Sequence, residues 1–210
     1  MTGSTTPCCR KPPVPERLPL WPGIWRGILA CLLTVCLLTS GPATAGVEMR
    51  DVRLDHGDEG YLLSTDIGVT LSPRLAEAVT RGVALYFVLE FEISRPRWYW
   101  LDEDVVERAR TYRLSYHALT QQYRVSTGAL HQGFDTLDEA LNLIGRLRSW
   151  PVIDSGRLKP GGSYVAALRL RLDVTQLPKP FQLSAMSNRD WTLESEWQRW
   201  GFTAQQAVRR

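Results

Sequence analysis

The stretch VALYFVLEFEIS, Val83 to Ser94, keeps a period of two over its whole length. Val83, Leu85, Phe87, Leu89, Phe91 and Ile93 fall on one side of an extended chain, and Tyr86, Glu90, Glu92 and Ser94 fall on the other. A helix of period 3.6 would scatter those apolar side chains around its circumference, whereas a strand gathers them on one face. Such a strand needs a sheet around it and a layer over its apolar side. The chain is therefore committed to a layered, β-rich architecture, with Phe87 and Phe91 expected in the core.

The same period recurs elsewhere. VEMRDVRLD and YLLSTDIGVTL flank the turn HGDEG and read as a hairpin. VVERARTYRLSYHAL and QQYRVSTG form a second, longer hairpin, in which Tyr112, Leu114 and Tyr116 alternate with Arg113, Ser115 and His117. After the turn LKPGGS, Tyr164, Ala166, Leu168, Leu170 and Leu172 oppose Val165, Ala167, Arg169, Arg171 and Asp173. FQLSAM is predicted to begin a further strand, and DWTLESEWQRWGF to close the domain. Two segments follow the helical period instead. SPRLAEAVTRG offers Ser72 as N-cap, Pro73 in the first turn and Gly82 as terminator. DTLDEALNLIGRLRSW carries a capping box of Thr136 and Glu139 and a stripe of Leu137, Leu141, Ile144 and Leu147. The predicted class is α+β and β-rich: an antiparallel sheet or sandwich with two short helices packed on it.

The first 45 residues are of another kind. Arg10, Lys11, Arg17 and Arg26 lie among prolines, the apolar run Gly27 to Thr39 follows, and Ala43 and Ala45 close an A-x-A pattern. A basic segment, a short apolar run and small residues before a cut form the pattern of a secretory signal peptide. Cleavage is expected between Ala45 and Gly46, giving a periplasmic or exported domain over 46–202 and a flexible tail over 203–210. The alternative is an inner-membrane anchor formed by residues 27–39. That run is shorter than the roughly 20 residues a spanning helix needs. With the leader gone, the chain's 25 basic residues lose four and its 22 acidic residues lose one, leaving 21 of each. A neutral domain is not expected to seek nucleic acid. Cys8, Cys9, Cys31 and Cys36 all lie in the leader, so the mature domain has neither disulfide nor thiol chemistry.

Phosphate-binding, dinucleotide, nucleophile-elbow and zinc-protease motifs are absent from the sequence. His56, His117 and His131 are not paired at a metal-ligand spacing, and neither metal nor cofactor is expected. Glu90 and Glu92 share one strand face, a spacing compatible with the paired acids of a glycosidase. The same spacing suits cross-strand pairing with Arg108 and Arg110, or with Arg169 and Arg171, and that solvated ladder is the expectation.

RPRWYWLDEDV, Arg95 to Val105, sets two tryptophans and a tyrosine between arginines and acids. Alternation turns Trp98 and Trp100 one way and Arg97 and Tyr99 the other. Trp98 and Trp100 are expected in the core, with Arg95, Arg97 and Tyr99 outward. Trp197, Arg199 and Trp200 form a second candidate of the same composition, since Trp, Tyr and Arg dominate interface hot spots. A glycan- or lipid-binding module using the tryptophans would require at least two coplanar exposed indoles.

GVALYFVLEFEISRPRWYWLDEDV, YRLSYHALTQQYRVSTG, LDEALNLIGRLRSWPV and LRLDVTQLPKPFQLSA together resemble a proteobacterial family, domain of unknown function 4390, the proline-rich signal peptide proteins. The resemblance runs from about Val47 to Trp200. It implies an exported protein of the bacterial envelope, transfers no catalytic residue, and suggests a membrane sensor kinase as partner through gene neighbourhood alone. The expected function is a non-enzymatic envelope interaction module; the alternatives are a periplasmic hydrolase with Glu90 or Glu92 as its acid and the glycan or lipid module.

Overall fold

The first hairpin forms as its turn chemistry demands. Gly46–Gly57 (β1) and Gly60–Thr70 (β2) pair antiparallel around Asp58 and Glu59, with Gly60 at φ 138°. The ladder slips by one residue between Met49 and Asp51. Val47 and Met49 lie at odd positions and Val52 and Leu54 at even ones, yet all four pack against the core. The bulge reconciles them, because a one-residue slip turns a strand's side chains to the opposite face. The computed structural model describes residues 46–205, apart from Trp98, Trp100, Leu101 and Ser155 and the side chains of Met186 and Ser187.

Helix α1, Pro73–Thr80, is capped by Ser72, whose Oγ accepts from the Leu75 N–H and donates to the Asp190 carbonyl. Gly82, at φ 92°, ends it. Strands Leu85–Arg95 (β3), Glu103–His117 (β4), Gln122–Thr127 (β5) and Leu130–Phe134 (β6) form a meander. Helix α2 spans Leu137–Gly145, and strands Arg146–Asp154 (β7) and Ser163–Leu172 (β8) follow. Helix α3, Lys179–Ser187, precedes the last strand, Gln198–Thr203 (β9). Both sheets are antiparallel: β1-β2-β7, and β6-β5-β4-β3-β8-β9.

The small sheet lies over the inner face of the large one. Tyr61 of β2 meets Phe202 of β9 at 5.9 Å, and Phe202 meets Tyr164 of β8 at 5.9 Å. Arg108 of β4 reaches Asp154 of β7 at 3.1 Å. One cluster of buried side chains joins both sheets with α1 and α2, and Phe87 and Phe91 are fully enclosed in it.

Four expectations change. FQLSAM is helical, although its letters alternate: Phe181 packs on Trp191 at 4.9 Å, and the Gln182 amide donates to the carbonyls of Thr175 and Leu177. There are thus three α-helices among the described residues. The second helix stops at Gly145, and Leu147 belongs to β7. LHQGF forms β6, a strand whose weak alternation did not announce it. The C-terminal boundary also moves outward: Thr203 completes β9, Ala204 is buried, and the Gln205 N–H donates to the Tyr61 hydroxyl at 2.7 Å.

α2 ends where Arg146 and Leu147 pair with Asp66 and Thr65 of β2, and its last residue sits at a tight approach. Gly145 passes so close to β2 that a Cβ there would overlap the Ile67 carbonyl oxygen. Gly145→Ala should therefore force the helix off the sheet and destabilise the domain by about 1–3 kcal/mol, the usual cost of overpacking. Urea denaturation of the two proteins measures it, and an unchanged midpoint would refute the close approach.

Candidate functional site

The outer face of the large sheet carries a connected set of arginines, acids and one indole. The register sets Glu90 of β3 opposite Arg169 of β8, and Glu92 opposite Ala167, which in turn faces Arg199 of β9. Glu90 accepts from Arg169 Nε at 3.0 Å and Nη2 at 2.6 Å through Oε2, and from Arg171 Nε at 2.8 Å through Oε1. Burial pushes the Glu90 carboxyl up, but the hydrogen bonds and charges of Arg171 and Arg169 outweigh it and hold the group below 4.5. Arg169 also lies over the ring of Trp197 at 4.4 Å, and Arg199 approaches the same ring at 5.9 Å. Arg171, Glu90, Arg169, Trp197 and Arg199 thus form one continuous line from β3 across to β9. Trp197 is half-buried and Arg199 exposed.

Glu92 differs from its neighbour. Burial raises its carboxyl above 4.5, and Glu107, directly opposite on β4, raises it further, followed by Glu90 and Asp104. Two acids with the same spacing have acquired opposite shifts because only one has arginines bonded to it. Neither lines any of the clefts described among these residues.

The arginines available to Glu90 are those of β8. Arg108 and Arg110 lie opposite Phe91 and Leu89, so they occupy the inner face and the expected ladder with Glu90 does not form there. Arg108 bonds Asp154 instead, and Arg110 lies over Tyr112 at 5.6 Å.

The aromatic–arginine residues picked from sequence are divided between surfaces. Arg95 is half-buried, donating to the Tyr164 hydroxyl at 3.4 Å. Arg97 is exposed and ion-paired with Glu103, and its N–H donates to Asp102 at 3.4 Å. Tyr99 is 67% exposed in the β3–β4 connection. Trp98 and Trp100, like Ala45 and the run 27–39, lie outside the described residues. Trp197 and Trp200 do not form one patch. Trp200 faces Ala166 on the inner side of β9 and packs on Phe91 at 6.4 Å, whereas Arg199, its neighbour in the strand, points outward to Trp197. Arg169, the partner that holds Trp197, was visible only as half of an i, i+2 arginine pair. Trp191 is buried and Trp150 half-buried, so no described indole is exposed enough to pair with another as a stacking platform. His117 and His131 bond Thr120 and Ser126, and no three metal-binding side chains converge among the described residues.

A family model, domain of unknown function (DUF4390), matches residues 44–201. The chain belongs to that family. Searches of curated proteins and of solved structures found no match. The DUF4390 match takes in every residue of the outer-face line, from Glu90 on β3 to Arg199 on β9.

The two glutamates predict opposite responses. Glu90, held below 4.5, contributes stability that is present above that pH and lost as pH falls through its folded value. Glu90→Gln should cost about 1–2 kcal/mol at pH 7, the low end for charge-assisted bonds because the pairs are partly solvated, with the difference shrinking toward pH 3. Glu92, raised, is favourable only while protonated, and its ionisation above 4.5 opposes folding. Glu92→Gln should therefore stabilise the protein at pH 7 by a few tenths of a kcal/mol, as relief of a like-charged cross-strand pair does, and the gain should vanish in acid. Denaturation midpoints across pH 3–8 decide both.

Proposed function

We propose that this DUF4390 protein is an exported, non-enzymatic binding domain of the bacterial envelope, whose contact residues are the Trp197 line and, on the β3–β4 connection, Arg97 and Tyr99. The observation that carries this reading is the indole of Trp197 held under two guanidiniums. Arg169 is fixed by Glu90, while Arg199 remains exposed to meet a partner. A rigid aromatic face with oriented arginines binds by stacking and bidentate hydrogen bonds, without bond chemistry. The placement of Glu90 and Glu92 on a sheet face, away from any described cleft, favours binding over hydrolysis, which would need an acid directed into an enclosed site.

The expected partner is an envelope protein, with a membrane sensor kinase as the first candidate. Export rests on the leader: its basic segment, apolar run and A-x-A pattern end where the first strand of the domain begins, at Gly46. N-terminal sequencing of the protein recovered from cells should read from Gly46; an intact leader would favour the anchored form.

The binding reading is tested by mild cross-linking in whole envelopes followed by capture and mass spectrometry. Trp197→Ala/Arg199→Ala and Arg97→Ala/Tyr99→Ala proteins are run beside the wild type. A specific envelope protein lost from either variant is expected. A partner retained by both would remove this surface from the interaction, and turnover in a hydrolase screen that Glu92→Gln abolishes would replace binding with catalysis.

A further inference from the structure

Among the described residues four strands lie at sheet edges, and three of them are guarded against further pairing. β1 carries Glu48, Arg50, Asp51, Arg53 and Asp55 and a bulge. β7 carries Arg146, Arg148 and Asp154 with Pro151 and two register shifts, and β9 carries Arg199. These are the devices by which sheets prevent edge-to-edge association. The fourth edge, β6, is LHQGF: no formal charge, no proline, and exposed along nearly its whole length. Among the described residues it pairs with β5 alone.

A cleft of about 220 Å³ lies beside this edge. Leu130 and Gln132 of β6 line it with Val125, Leu143 and Leu147, and Arg110, Arg146 and Arg148 provide its charge. Arg148 is spent on Asp66, which it grips through both carboxylate oxygens at 2.9 Å. Arg110 and Arg146 have no carboxylate partner among the described residues. Leu130 stands 73% exposed at the lip. The volume suits one inserted side chain better than a whole small molecule, since ligand pockets usually run to about 300–1,000 Å³.

We infer that β6 is an acceptor edge for an extended, acidic segment of a partner protein, which adds a seventh strand to the large sheet. Main-chain hydrogen bonds along β6 supply affinity, and an inward-pointing carboxylate beside Leu130 and Gln132 meets Arg110 and Arg146. A second copy is a poor occupant, because pairing β6 with β6 would bring two arginine clefts together. The chain's own leader and its last residues are equally poor, their charges being basic except for Glu16. The surface is separate from the Trp197 line and stands or falls without it.

The probes are two capped six-residue peptides, one alternating glutamate with valine and one alternating lysine with valine. Amide shifts and hydrogen exchange of the isotope-labelled protein are followed by NMR. The acidic peptide is expected to give saturable shifts over Leu130–Phe134, to slow exchange of β6 amides, and to bind at least tenfold tighter than the lysine peptide. Arg110→Ala/Arg146→Ala should weaken it tenfold or more. Leu130→Glu, an exposed change that keeps the fold, should do the same by supplying an internal acid. Absence of saturable binding up to millimolar peptide, equal binding of the two peptides, or shifts mapping to Trp197 would overturn the inference. So would self-association through β6 in sedimentation, or shifts at β6 produced by anionic lipid vesicles and not by the acidic peptide.

Discussion

Strand β3 is hydrogen-bonded on both sides, to β4 and to β8, and its odd-numbered side chains from Leu85 to Ile93 are all buried. Those two facts fix what the neighbouring strands may do. Any residue opposite an odd position of β3 must face the covered side, and any residue opposite an even one must face outward. The outer-face line therefore follows from the core: Glu90 is outward because Leu89 and Phe91 are inward, and Arg169 meets it because Leu168 and Leu170 are inward too. The hydrophobic alternation that folds the sheet also sorts its charges.

The covering layer is thinner than the sheet it covers, with three strands and two helices over six strands. Inner-face positions of β4 beyond its reach are filled by arginines, not by apolar side chains. Arg108 closes one gap by reaching Asp154, whereas Arg110 borders an open cleft. Polar residues on the inner face thus mark the places where the two layers part. The domain presents two differently built basic surfaces. On the outer face the guanidiniums are oriented by Glu90 and stacked on an indole, and in the cleft they are held beside apolar side chains and an unguarded edge.

Much of the fold was legible in single residues. The Ser72 cap, the Pro73 start and the Thr136–Glu139 box marked helix starts, because they satisfy backbone donors that the helix itself leaves open. The first hairpin, the β4–β5 hairpin and the strand from Tyr164 were legible for a similar local reason. Errors came where two periods coincide. Leu147 fits both an i, i+3 helical stripe from Ile144 and an alternating strand, and only the pairing of Arg146 and Leu147 with Asp66 and Thr65 of β2 chose between them. FQLSAM alternates in writing, but Phe181 finds Trp191 only when the segment is helical. Of the candidate site, the glutamate–arginine pairing was anticipated in kind. Its partners were decided by register, which turned Arg108 and Arg110 to the other face.

The sequence by itself determined the β-rich class, the family, the burial of Phe87 and Phe91, and the placement of every cysteine in the first 45 residues. Each depends on composition or on side-chain period along one segment. Only the tertiary structure decided that Trp197 lies under Arg169 while Trp200 packs on Phe91, that the carboxyl of Glu90 is shifted down and that of Glu92 up, and that β6 is an open edge among the described residues, beside a cleft holding Arg110 and Arg146. These depend on which strands become neighbours and in what register. Those choices rest on contacts between residues distant in the chain, for which no local pattern carries a signal.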